Sequence, residues 1–559
     1  MGDMSTTHEV TNQPPPLEGY DVFGTDAVLV EAVEREGAGW AVDDLHALGR
    51  LAGSPEAIGW GFDANRHPPE LRTHDRYGHR IDEVTYHPAY HELMQVAVSH
   101  GLHGAPWAVD QAGAHVARAA GFVVWSQVDT GHGCPISMTY SIVPALRTQS
   151  DLAAEWEHRL VVRAYDPRNV AAREKPGVLA GMGMTEKQGG SDVRANTTRA
   201  EPVAGGGDVG GDRDDGSWAL TGHKWFCSAP MSDVFLMLAQ APGGLTCFLV
   251  PRWLPDGERN SGFRIVRLKD KLGNRSNASS EIELDGALAW MVGEEGRGVR
   301  TIIDMVAHTR LDCVLGATAT MRQATAQALH HTAHRSAFGS TLIDQPLMRA
   351  VLADLAVESE AATVTAMRLA RAFDEAARGE EDADALRRIA TAVGKYWTCK
   401  RQPTHVGEAL ECLGGNGYVE ESIMPRLFRE SPLNGIWEGS GNVICLDVLR
   451  AMAREPAALD AFLTEMDAAR GADERLDGAV ARVRRELGDL VGIESRARRV
   501  VEAMALAFQG SLLVRHGHPA VAEAFCASRL TGEEGLALGT LPPGLDLSTI
   551  IERSQPKVG

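Results

Sequence analysis

The 559-residue chain has no apolar run near the roughly 20 residues that a membrane-spanning helix needs. Its opening stretch, MGDMSTTHEVTNQPPPLEGYDVF, is polar and acidic where a signal peptide is basic and then apolar. Both absences argue against the membrane and for the cytoplasm. Cysteine is sparse. The eight thiols, Cys134, Cys227, Cys247, Cys313, Cys399, Cys412, Cys445 and Cys526, stand singly with no CxxC pair, which argues against a secreted disulfide framework and a structural zinc site. Positive charge is short too. With 55 Lys and Arg against 75 Asp and Glu, the formal charge of −20 argues against broad attraction to phosphate backbones and leaves room only for a local basic patch. His330 and His334 have the i, i+4 spacing of zinc ligands. Neither they nor His331 come with the Glu or third ligand of a HExxH pattern, so they read as packing or surface groups.

Length is what the chain has in plenty, enough for several domains with cores of their own. Up to about Leu179, apolar residues at helical spacing predict helices over Asp26–Glu36, Asp43–Leu51 and Tyr90–His100. The prolines of NQPPPLEGYDVF make the opening extended, either laid over another part of the molecule or a neighbour, or left as an untethered terminus. Between Gly181 and Trp290 the pattern turns to short strand-like runs, SWALTGHKWF, VFLMLAQ, LTCFLV, FRIVRL and SEIEL, separated by turns. Ala204–Gly216, AGGGDVGGDRDDG, reads as an acidic hairpin loop. From Gly298 the helical period returns over Val299–His334, Gln345–Arg378 and Ala385–Leu413, with Pro403 expected to kink or divide the last. The expected fold is mainly α with a central β domain: 1–180 helical, 181–290 β, 291–450 a helical bundle, and 451–559 a further helical tail.

Three separated stretches carry chemistry. GMGMTEKQGGSDV, Gly181–Val193, is a polar glycine-rich loop of the kind that brings backbone N–H groups and short hydroxyls against a flat or anionic ligand. GHKWFCS follows from Gly222 and GIWEGSGN from Gly435. Glu438 lies between an aromatic residue and a glycine, where partial desolvation beside an apolar ligand face would raise its pKa toward that of a general base. In the tail, Val483, Leu487, Leu490, Ala497, Val501 and Met504 form an apolar stripe at helical spacing, interrupted at Glu494. Arg482, Arg485, Arg496 and Arg499 fall on a different face.

Together these stretches resemble the acyl-CoA dehydrogenase family of flavoproteins, and MTEKQGGSDV resembles its AidB branch, linked to DNA alkylation damage. The resemblance implies helical, β-barrel and helical-bundle domains, an FAD cofactor and a homotetramer. It implies that Glu438 removes the α proton of an acyl-CoA while a hydride passes to the flavin. It assigns Met184 and Thr185 to the flavin pyrimidine edge and Gly190 and Ser191 to the pyrophosphate side. Phe226 stands where the family has a flavin-stacking Trp, and Ser228 where it has a Thr; a strand-core role for Trp225 and Phe226 stays open.

HRSAFGSTLIDQ resembles the RxxFG element, so Arg335 and Phe338 would reach the FAD of a neighbouring subunit. Gln345 lies one residue short of the family's glutamine. Gly414, Gly415 and Gly417 of LGGNGY match a turn that approaches the dinucleotide, the plainer alternative being a helix cap. Trp437 and Ser440 replace a usual Tyr and Thr in the pocket wall, and Asn442 is a further polar candidate. The AidB resemblance makes the four tail arginines a surface for double-stranded DNA, a solvated helix face being the alternative. Two other functional readings remain: a DNA-binding protein whose FAD is structural, and an ordinary catabolic acyl-CoA dehydrogenase or oxidase.

Overall fold

The computed structural model describes residues 7–203, 216–533 and 535–558; all of the expected acidic loop but Gly216 lies outside them. Contacts divide the chain into two compact units, one of Met1–Ile58, His115–Gln127 and Cys313–Gly559, the other of Gly59–Ala114 and Val128–Asp312.

The second unit holds the β structure. An antiparallel hairpin, β1 (Glu70–His74) and β2 (Arg80–Thr85), precedes the main sheet. It falls in the part expected to hold helices and loops but no strand, because ELRTH leaves alternate residues exposed and carries too little apolar signal. The seven-stranded sheet comprises β3 (Ala180–Gly183), β4 (Arg199–Pro202), β5 (Ser217–Ser228), β6 (Val234–Ala241), β7 (Gly244–Pro251), β8 (Phe263–Leu268) and β9 (Ser279–Val292). Its order is β3-β6-β4-β5-β9-β7, with β8 beside β9, and pairing of β6 with β7 closes a barrel. Phe235, Met237, Phe248, Val250, Phe263 and Ile282 fill the interior. The stretch expected to be loop from Gly181 therefore begins as strand. Ala180–Gly183 pairs in parallel with Val234–Met237, and a Cβ on Gly181 would stand 2.3 Å from the Phe235 ring, so the glycine is there for close approach.

The first unit is helical. Gly298–His334, whose last turns from Cys313 onward belong here, is followed by Pro346–Ala377 and Glu381–Cys412. Of the kink or division expected at Pro403, the division does not occur: the last helix is continuous through it and packs against Pro346–Ala377, Gly441–Arg454 and Pro456–Asp467, tertiary packing outweighing one missing N–H donor. Arg322, nearly closed to solvent, ties both chain ends to this bundle: it donates to the carbonyls of Thr25 and Ser554 and lies 3.3 Å from Asp26. The terminal segment is tethered as well. Asn12 and Ser336 exchange two hydrogen bonds of 2.8 Å, and His330 bonds the Pro15 carbonyl.

The tail departs from its expectation. Arg482–Arg499 is not one helix but the end of Glu474–Gly488 and the start of Ile493–His516, separated by a loop in which Leu490 and Val491 are exposed. Gly492, with φ 64°, provides the left-handed residue that restarts the second helix.

Candidate functional site

The flavin-loop candidates hang on one carboxylate. After β3 the chain turns back on itself through a bridge between Glu186 and Gly189, which brings Thr185 over Gly190 so closely that a Cβ there would lie 2.4 Å from the Thr185 hydroxyl. Glu186, with no exposed surface, holds this turn down. Its Oε1 accepts from Lys224 Nζ at 2.9 Å and from the Thr198 N–H and hydroxyl. Its Oε2 accepts from the Thr197 N–H and hydroxyl and from Gln188. Burial alone would push this carboxyl up; Lys224 and the hydrogen bonds outweigh it and hold the group well below the usual carboxylate range. Met184 and Thr185 are thus half-buried at one end of the turn, and Gly190 and Ser191 are exposed at the other.

Strand β5 supplies the aromatic side. Its register with β9 shifts between Lys224 and Cys227, a bulge that leaves Lys224 and Cys227 in the barrel and Trp225 and Phe226 outside it. Phe226 is 50% exposed, so it is not strand core. Lys269 lies 3.3 Å from the centre of the Trp225 ring and 4.6 Å from that of Phe226. Ser228 is half-buried with its hydroxyl 3.3 Å from that of Ser279. Asn196 donates to the Met184 carbonyl, and its own buried Oδ1 has no hydrogen-bond partner. A spare acceptor, the half-exposed Phe226 ring and a loop of short hydroxyls and glycines fit a flat group with polar edges, as an isoalloxazine is.

The other candidates belong to the first unit. Glu438 is half-buried and has a left-handed backbone, φ 56°, which a non-glycine residue rarely adopts; such residues cluster at functional sites. Lys395, from the Glu381–Cys412 helix, donates to the carbonyls of Trp437 at 2.8 Å and Gly439 at 2.5 Å, one on each side of Glu438. The Trp437 indole donates to Asn434 Oδ1 at 3.0 Å, Asn434 donates on to Gln402, and the ring packs on Cys313, Ala317 and Cys399. Ser440 stands at the start of the Gly441–Arg454 helix. Asn442, in its first turn, accepts from Arg498 of the tail, so its polar end is engaged by this chain.

Arg335 donates to the Asn12 carbonyl. The hairpin Ser336–Ala337 with Ser340–Thr341 turns through Phe338 and Gly339, with φ of 54° and 89°; Phe338 is fully exposed at its tip. Both turn residues are left-handed, which suits Asn or Gly far better than Phe. Gln345 donates to the Ala337 carbonyl across the base of that hairpin. Gly414, φ 59°, ends the Glu381–Cys412 helix as a cap glycine, while Gly417 leaves room for the Leu410 carbonyl, which its Cβ would meet at 2.4 Å; Gly415 has open space around it. Asn416 donates to Gln13.

Three of the four tail arginines are engaged within the chain. Arg496 and Arg499 both pair with Glu486, and Arg482 donates to the Leu530 carbonyl; Arg485 is exposed. His331 is held neutral by burial, its pKa lowered to about 4, and His334 bonds the His330 carbonyl, so these rings have internal work.

Sequence reasoning passed over Glu186, Lys395, Asn434 and Asn12. Lys395 had one visible signal, a lone charge inside the apolar run IATAVGKYW.

The chain matches three family models: the adaptive response protein AidB N-terminal domain over residues 12–167, the acyl-CoA dehydrogenase middle domain over 181–287 and the acyl-CoA dehydrogenase C-terminal domain over 296–453. It is 45% identical over 534 residues to AidB of Escherichia coli (strain K12), covering 95% of this chain and 96% of that protein. To acyl-CoA dehydrogenase family member 11 of Caenorhabditis elegans it is 30% identical over 508 residues, covering 85% of this chain and 80% of that one. The solved Caenorhabditis elegans ACDH-11, in complex with C11-CoA, matches with a TM-score of 0.83 at 26% identity, covering 95% and 94%.

Proposed function

Because the chain belongs to the acyl-CoA dehydrogenase family, in its AidB branch, we propose that it is an FAD oxidoreductase in which Glu438 takes the α proton of an acyl thioester. The observation that carries this reading is the backbone of Glu438, held left-handed between two carbonyls that Lys395 gathers. FAD, when bound, supplies the acceptor for the hydride that leaves the β carbon. Met184, Thr185 and Ser228 would hold its ring edge, Phe226 would cover a ring face, and Gly190 and Ser191 would serve the pyrophosphate. Arg335, Phe338, Gln345 and the Gly414–Gly417 turn would complete the dinucleotide site across a subunit boundary.

The solved relative bound to C11-CoA supports an acyl-CoA as the substrate class. Phe338, Leu347 and Tyr418 are each at least 80% exposed, apolar side chains that association with further copies, such as the homotetramer the family resemblance implies, would cover. Among the described residues no helix is long and apolar enough to cross a membrane.

A role in the response to DNA alkylation is supported by the AidB relationship. The arginine face adds little, since internal partners occupy Arg482, Arg496 and Arg499. Anaerobic mixing of the flavin-loaded protein with straight, branched and aromatic acyl-CoAs tests the enzymatic reading: one of them bleaches the flavin rapidly. If none does while duplex DNA binds with a steep salt dependence, the DNA-binding flavoprotein with structural FAD replaces it.

A further inference from the structure

We infer that Lys395 is a positioning residue for the Glu438 carboxylate, an inference that rests on the reading of Glu438 as the base. Lys395 is 1% exposed. Among the described residues its only hydrogen-bond partners are the carbonyls of Trp437 and Gly439, and it makes no ion pair there. A buried ammonium is costly unless dipoles are aimed at it. Here both dipoles come from the peptide groups that flank one residue.

The geometry follows from that pairing. Two carbonyls separated by a single residue can reach one nitrogen only if the chain between them turns, and Glu438 sits at the apex of that turn. Its φ of 56° and the 107° of Gly439 are the backbone record of the turn. On the same helix, one turn further along, Cys399 packs with Cys313 and Ala317 against the Trp437 ring, and Asn434 holds the indole N–H. These contacts fix the approach to the loop. Lys395 alone grips it on both sides of Glu438, and it alone among them brings a full charge.

Lys395 therefore acts in two separable ways. Its grip places the carboxylate, and its charge favours the ionised form of a neighbouring acid. Replacing it with an apolar residue should loosen the loop and make Glu438 harder to deprotonate.

The test compares wild type, Lys395→Met, Lys395→Arg and Glu438→Gln, each with its FAD content measured. In Lys395→Met, flavin bleaching by the best acyl-CoA of the panel should slow by about 10-fold or more, since a small misplacement of a catalytic group costs that much. The pH at which the rate rises should move about one unit alkaline. Hydrogen exchange at the amides of residues 437–439, followed with and without FAD, should speed up. Lys395→Arg keeps the charge and changes the grip, so its rate should fall with the pH midpoint unmoved; this variant carries the test if Lys395→Met does not fold. Wild-type rate, pH midpoint and exchange in a flavin-loaded Lys395→Met overturn the inference. Wild-type bleaching in Glu438→Gln overturns the underlying reading of the base instead, and is distinguishable because it leaves the exchange result at 437–439 intact.

Discussion

Glu186 and Lys224 meet at 2.9 Å with neither side chain open to solvent, and this pair joins the loop after β3 to the barrel wall. The pair is surrounded by donors from Thr197, Thr198 and Gln188, so the carboxylate is fully hydrogen-bonded. Removing one partner of such a pair leaves the other charge buried and unmatched. Glu186→Ala is expected to lose about 3–5 kcal/mol of stability, and with it the fold of the 184–191 turn. Denaturant midpoints and FAD affinity measure both; a variant within about 1 kcal/mol of wild type would remove Glu186 as the anchor.

Acid should undo the helical unit by a definite route. Burial pushes the Glu358 carboxyl up, but Arg401 and Arg529 outweigh it and leave it at about 2. Glu465 also stands at about 2: Arg368 and Arg515 outweigh the same effect of burial. Both pKa values are depressed from 4.5, so the stability these groups contribute is complete above that pH and is lost as pH falls from there toward 2. Urea midpoints of Glu358→Gln and wild type should converge as the pH is lowered through this window, and a constant gap between them would contradict the account.

Glu360 works in the opposite sense. Burial raises it to about 7 against the pull of Arg553, with Asp26 adding to the rise, and its Oε2 has no hydrogen-bond partner. A raised pKa means stability present below 4.5 and lost as pH climbs through 7. Glu360→Gln should therefore gain on wild type between about pH 5 and about pH 8, by on the order of 2 kcal/mol. Parallel stability curves for the two proteins would show that the carboxyl is not titrating there.

Asn12 ties the amino-terminal segment to the hairpin proposed to serve the dinucleotide: it bonds Ser336 twice and its carbonyl receives Arg335. Asn12→Ala should free the segment, raising trypsin cleavage near residue 12 and weakening FAD binding about 3- to 10-fold, a loss of about 1 kcal/mol. Unchanged cleavage and affinity would separate the segment from cofactor retention.

The barrel and the bundle were legible because their signals are local. FRIVRL is β8 residue for residue, and the helix expected at Asp26–Glu36 is found at Ala27–Arg35. The anchor of the 184–191 turn was not, because Glu186 draws most of its donors from Thr197, Thr198 and Lys224, 11 to 38 residues away. No periodicity reports such a meeting. The break at 489–492 was missed because Leu490 kept an apolar stripe in phase, although Gly488 and Gly492 bracket the loop and were the available warning. The hairpin β1–β2 was hidden by its own polarity. Glu438 was singled out from its motif, whereas Lys395 is 43 residues away in sequence and meets that loop only through backbone carbonyls.

The central claim is that Glu438 removes the substrate's α proton, and stopped-flow bleaching of the flavin in Glu438→Gln under anaerobic conditions tests it most directly. With FAD content equal to wild type, bleaching by the preferred acyl-CoA should slow by about 10²- to 10⁴-fold, the usual worth of a general base. Bleaching at the wild-type rate would contradict the account.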